Sequence, residues 1–373
     1  MSNEPGGSSA AQPDRPDRPD RPVATVPAEP RPAEEATAPA AEAKLDDRVT
    51  APGPDDEAGN ATPARAPGAI VLAPLAVGWL AAMLWSTRAA IHSAEAGVTA
   101  VSLSAFALPG VISAALVAGG AVALAVTNLL ARRGVDRVTP RFVVAVGAGL
   151  LVGLVAALAI NLTYFDNSTT NVIAGTAAAA AIIGGAAAGA GNARVAGAVV
   201  TAALAALVFV VAFSRARDPL FDLFGAGDTQ ESMVGAAKWV SRTESLLAGL
   251  LAGVTAFGYL RWARRRAGRR DEAAPAPRWP GYLLAGAGPG LLLLLAEIVI
   301  RVGGRSLLDL AAALSEADAV AQTSLGTSRV DNGIWVLFVG ALTALVAFGR
   351  TLGPATHDEE ALDEAAAPAA PRR

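Results

Sequence analysis

Between residues 69 and 350 the apolar positions of this chain fall into eight blocks, at 69–87, 106–131, 142–162, 171–191, 195–214, 244–262, 281–300 and 333–350. Each block is long enough to cross about 30 Å of hydrocarbon as an α-helix. A backbone in lipid must satisfy its own polar groups, which a helix does internally. The pattern predicts an all-α fold: a polytopic transmembrane helix bundle of about eight spans. The fourth block is the least apolar, because Ala177 to Ala181 and the Gly/Ala residues after it carry little side chain. It is expected as a helix packed among others.

The flanks read differently. Residues 1–68 are rich in Pro, Ala and acids and include a threefold Pro-Asp-Arg run from Pro13 to Arg21. They hold too little apolar surface to offset the entropy of ordering, so a disordered acidic tail is expected, with the Pro-Asp-Arg run as a solvated spacer. Residues 351–373, with Asp358, Glu359, Glu360, Asp363 and Glu364, read the same way. The first apolar block starts too far along the chain for a signal peptide and is expected to be an uncleaved anchor.

Composition agrees with a membrane location: 53% hydrophobic residues, 17% charged and a mean hydropathy of +0.42. The net charge of -3 divides unevenly. Residues 1–68 carry 13 acids and 7 bases, residues 351–373 carry 5 and 2, and the segment between carries 15 and 21. Arginine is concentrated in alternate loops, at Arg132, Arg133, Arg137 and Arg141, and again from Arg261 to Arg278. With both termini cytoplasmic, 13 of the 21 central bases lie inside, the bias that short cytoplasmic loops show. A multi-pass protein of the cell membrane, with N- and C-termini cytoplasmic, follows. The Arg261 to Arg278 cluster also suits anionic lipid, while nothing in the charge pattern points to nucleic acid.

Two longer outer loops are expected, at residues 214–241 and 302–332. Each runs from an arginine to an Asp-Leu pair, Arg217 to Asp222-Leu223 and Arg305 to Asp309-Leu310, and then into a span ending Ala-Phe-Gly. A repeat of two-helix hairpins and a coincidence of composition both account for this. The spacing of Leu307 to Val320 suits short amphipathic helices at the outer surface.

Candidate chemistry is sparse. The chain has no cysteine, which excludes disulfides, thiolate metal sites and a cysteine nucleophile. Only two histidines occur, His92 and His357, and they lack metal-ligand spacing. No cofactor-binding or catalytic pattern is present, so no enzyme is expected. Glu297 is the acid set well inside an apolar run, and Arg301 lies four residues on, on the same helical face. A structural ion pair and a solute- or proton-binding role are the alternatives. Pro289, within Gly286-Ala-Gly-Pro-Gly290, predicts a kink or local unwinding, which serves either packing or a site at membrane depth.

Asn128 and Asn161, with Thr127, Thr201, Thr255 and Thr343, are expected to bond neighbouring helices or backbone. Four glycine pairs at i, i+4 spacing, Gly149 and Gly153, Gly185 and Gly189, Gly249 and Gly253, Gly286 and Gly290, predict close helix packing within the chain. A homo-oligomer through one of them is the alternative. Trp79, Trp85, Trp335 and Tyr164-Phe165-Asp166-Asn167 suit interfacial anchors.

Two stretches carry a resemblance. Trp79 to Leu84 leading to Ser104-Ala-Phe-Ala-Leu-Pro109, and Val330-Asp-Asn-Gly-Ile-Trp-Val-Leu-Phe-Val-Gly340-Ala-Leu-Thr, resemble the Ala/Gly-rich "streptophobe" membrane proteins of actinobacteria. The resemblance implies an integral membrane protein and assigns no functional residue. With 28 arginines against Lys44 and Lys238, residue usage suits a GC-rich bacterial genome. The functions left open are a non-enzymatic scaffold or accessory component of the bacterial envelope, in contact with lipid and with a membrane-protein partner as one alternative, and a small-solute transporter or channel using Glu297 and Pro289.

Overall fold

The computed structural model describes residues 65–93, 98–135, 137–163, 168–227, 229–269 and 278–352. Among them are ten helices and no strand: α1 (Ala69–Ser93), α2 (Val98–Arg132), α3 (Val138–Thr163), α4 (Ser168–Ala190), α5 (Ala193–Ser214), α6 (Arg217–Leu223), α7 (Gln230–Gly268), α8 (Trp279–Gly303), α9 (Arg305–Leu314) and α10 (Glu316–Gly349). All but α6 and α9 are long and apolar enough to span a membrane, and these eight match the eight apolar blocks. The Tyr164 to Asn167 anchor, Arg270, His357 and nearly all of both tails lie outside the described residues.

The chain is a multi-pass membrane protein, and the distribution of its apolar surface shows why. Large residues of α3 stand outward, with Leu151, Leu154, Val155, Leu158 and Leu162 each 55–79% exposed. A stripe of that size would promote association in water and is at home against lipid. Helix α2 is the opposite case, with Leu108, Ile112, Leu116 and Leu124 fully buried at the centre of the bundle. The weakly apolar α4 packs on α2 and α3. A Cβ at Gly119 would strike the Ala181 carbonyl, and one at Gly184 would strike that of Leu116, so the two backbones touch. In lipid, attraction between helices comes from such close packing.

The four expected glycine pairs all pack within the chain. Gly149 and Gly185 face each other between α3 and α4, and Gly153 and Gly189 meet Ala178 and Ala145. Gly249 and Gly253 of α7 abut Val339 and Gly340 of α10, which Gly286 and Gly290 of α8 meet from the other side.

Three expectations need correction. Residues 214–241 and 302–332 are not open loops, because α6, α9 and the first turns of α7 and α10 fill them. Helix α7 has 39 residues and α10 has 34, about 58 and 51 Å of helix against about 30 Å of hydrocarbon. Of the kink or local unwinding expected at Pro289, the unwinding is absent, since α8 is helical from Trp279 to Gly303. Finally, the N-terminal tail does not stay free up to residue 68: Ala66 is fully buried, and the Tyr259 hydroxyl donates to the Pro67 carbonyl at 2.7 Å.

The expected hairpin similarity has a structural counterpart. Both α5–α6–α7 and α8–α9–α10 run from a span through a short helix into a long helix. Helix α9 buries Leu307 and Ala311, as an amphipathic surface helix should. Its Arg305–Asp309 pair, at 3.6 Å and largely exposed, contributes little.

Candidate functional site

Glu297 sits in the last two turns of α8 with its side chain only 6% exposed. The i, i+4 spacing brings Arg301 onto its face, and the Arg301 Nε donates to Oε1 at 3.0 Å. A second guanidinium comes from α10, where the Arg329 Nε donates to Oε2 at 2.8 Å. Each carboxylate oxygen thus has its own charged donor, which is how a buried carboxylate is made tolerable. Arg301 is 59% exposed and reaches outward, whereas Arg329 is 26% exposed and leans against the bundle.

A second buried acid lies nearby. Glu244 of α7, 8% exposed, accepts from the Arg217 Nη2 at 3.0 Å, so that the first residue of α6 is tied to α7. Beside it the Ser241 hydroxyl donates to the Asn332 Oδ1 of α10 at 3.1 Å, and the Ser245 hydroxyl donates to the Ser241 carbonyl.

These groups surround a cavity of about 190 Å³ between α2, α5, α7, α8 and α10. Its body is apolar, formed by Val117, Leu207, Leu292 and Val336 among others, and its polar wall is Glu244, Glu297, Arg329, Asn332, Ser113 and Ser245. Pro289 of α8 and Pro109 of α2 both line it. Each proline removes a backbone N–H and leaves the carbonyl four residues earlier without its helical donor. Pro109 of α2 is thus a counterpart to Pro289 across the cavity.

Of the candidates read from sequence, Glu297, Arg301 and Pro289 therefore come together in one half of the bundle. Asn128 does not. It lies near the other end of α2, where its Oδ1 accepts from the Ala66 N–H at 3.0 Å and its Nδ2 donates to the Ala66 carbonyl. Asn128 thus clamps the segment before α1, and Thr127 and Thr201 bond carbonyls one turn back in their own helices. Sequence reasoning missed Glu244, placed at the presumed edge of a span, and Arg329, placed in a presumed loop. A helical reading of residues 316–332 would have exposed Arg329 and Asn332 as neighbours one turn apart.

Among the described residues no group of His, Asp or Glu is arranged to hold a metal. Fold and site together define a polytopic helical membrane protein with a polar-walled cavity in one half of its bundle. Comparison with protein-family models, curated proteins and solved structures finds no match to the chain.

Proposed function

We propose that the protein carries or admits a small amphipathic solute, with the cavity between Pro109 and Pro289 as its binding site. The observation that carries this reading is the placement of two buried carboxylates, Glu244 and Glu297, on the wall of one intramembrane cavity. Ionisable groups at membrane depth are expensive and gather at solute and ion pathways. A cavity of about 150 Å³ accepts a benzene-sized molecule, so about 190 Å³ suits a solute of that scale with one polar group directed at the glutamates and Arg329. The role is non-enzymatic. By the distribution of arginine, we place the Arg261 to Arg278 end in the cytoplasm and the cavity in the outer half.

One observation favours the scaffold or envelope-accessory reading: both oxygens of Glu297 are already occupied by Arg301 and Arg329. The two readings separate by aqueous access. Since the chain has no cysteine, Ser113→Cys and Asn332→Cys can be introduced singly and exposed to a charged, membrane-impermeant thiol reagent in oriented vesicles. The expected result is modification of Ser113→Cys from both membrane faces, with lipid-facing Leu158→Cys unmodified. Failure of both cavity positions to react from either face, while Leu223→Cys on exposed α6 reacts, would sink the solute-carrier reading.

A further inference from the structure

At the opposite end of the bundle a second cavity, of about 250 Å³, has a different character. Among the described residues four arginines line it, Arg65, Arg132, Arg194 and Arg266, and no acid does. Three of these have ordinary reasons to be there. Arg132 and Arg266 lie in the last turns of α2 and α7, where a cation complements the helix dipole, and Arg65 donates to the Ala131 carbonyl at 3.4 Å.

Arg194 has no such reason. It is 3% exposed, its Nε is buried without a hydrogen-bond partner, and no acid pairs with it among the described residues. It also occupies the first turn of α5, where Asn192 caps the helix by accepting from the Arg194 N–H at 2.9 Å. A cation there faces the positive end of the helix dipole. The start of α1 faces the same cavity: Gly68, Ala69 and Ile70 line it, and the first N–H groups of a helix lack acceptors within it. Gly68 takes the cap position: its carbonyl accepts from Val71 and Leu72, and with no side chain it leaves the Ala69 and Ile70 N–H groups uncovered. The buried Arg194 guanidinium, the Arg132 and Arg266 cations and the start of α1 thus converge, with no acid lining the cavity among the described residues.

We propose that this cavity is a phosphate-type oxyanion site, filled by the headgroup of an anionic phospholipid. A tetrahedral oxyanion can accept from the Arg194 fork and from the α1 N–H groups at once. The lipid is the favoured source because two other lining residues, Ile70 and Val71, are 47% and 61% exposed on the lipid-facing side of α1. An acyl chain can lie along them while the phosphate enters. This site is independent of the solute cavity, and it is more specific than attraction of anionic lipid to the Arg261 to Arg278 cluster as a whole.

The test uses the full chain purified in a neutral detergent and follows its thermal midpoint during titration with phosphatidylglycerol, phosphatidylcholine or inorganic phosphate. The proposal expects a saturable rise with phosphatidylglycerol, a smaller one with inorganic phosphate and none with phosphatidylcholine. Arg194→Gln and Arg266→Gln should each weaken the phosphatidylglycerol response by about tenfold or more, the loss of one charge-assisted bond. Arg264→Gln and Arg269→Gln, which change the same cluster without touching the cavity, should leave it intact. If Arg194→Gln does not fold, Arg266→Gln still decides. Equal responses to the two lipids, or equal losses in cavity and control variants, would overturn the site. An inorganic phosphate response matching that of phosphatidylglycerol would overturn the lipid as its source.

Discussion

Glu297 is held by two arginines of unequal weight, and the difference can be measured. Arg329 is largely shielded, so Arg329→Leu leaves Oε2 of a buried carboxylate without its donor, at a cost of about 1 to 3 kcal/mol. Arg301 is more than half exposed and screened by its surroundings, so Arg301→Leu should cost about 1 kcal/mol or less. Thermal unfolding in detergent should rank the variants in that order, and the reverse order would show that the outward arginine is the real anchor. Glu297→Gln should lessen the difference between them, because the charge that both arginines neutralise is gone. The local pair was legible in sequence, since i, i+4 spacing on a helix dictates it. The other half of the clamp was not, because Arg329 lies 32 residues away on a helix that hydropathy alone had shortened. Glu244 escaped for a related reason: a carboxylate at the start of an apolar block reads as an interface residue until its neighbours are known.

At the scale of elements, the contacts between helices are set by the absence of side chains. The α2–α4 seam is the tightest case, since Gly119 and Gly184 each lie against a backbone carbonyl of the other helix. A carbonyl in a helix cannot swing aside as a side chain can. Gly184→Val should therefore exceed the usual overpacking cost of about 1 to 3 kcal/mol and reduce the yield of folded protein. Gly147→Ala and Gly175→Ala are the controls: a Cβ there meets nothing within 4 Å, and alanine in place of glycine gains up to about 1 kcal/mol in a helix. Equal losses at Gly184 and Gly147 in a folded-yield assay would contradict the packing described here. Helix existence was legible because each span carries its own apolar block, and lengths were not. The outer turns of α7 and α10 are polar on most faces, so they register as loop in hydropathy although their Ala, Glu and Gln content favours helix. The seam partners were also hidden, because a glycine pair advertises close approach without naming which helix approaches.

For the whole molecule, the two ends of the bundle have opposite electrostatic designs, and this bears on orientation. One end gathers Arg132, Arg133, Arg137, Arg141, Arg194, Arg261, Arg264, Arg265, Arg266 and Arg269 with no acidic partner among the described residues. At the other, the arginines that meet Glu244, Glu297 and Asp309 are in ion pairs. Translocating unpaired guanidinium groups is what the membrane insertion bias resists, so the first end should stay in the cytoplasm. The eight spans then bring both termini to that side. A fluorescent reporter that folds only in the cytoplasm, fused after Arg373, should be bright, and a phosphatase that needs an oxidising exterior, inserted between Leu314 and Ser315, should be active. The opposite pair of signals would invert the molecule, placing the Glu244–Glu297 cavity in the inner half and the Arg194 cavity against the outer leaflet. Any lipid that Arg194 holds would then have to come from that leaflet, so the orientation measurement also fixes the membrane surface on which to seek its ligand.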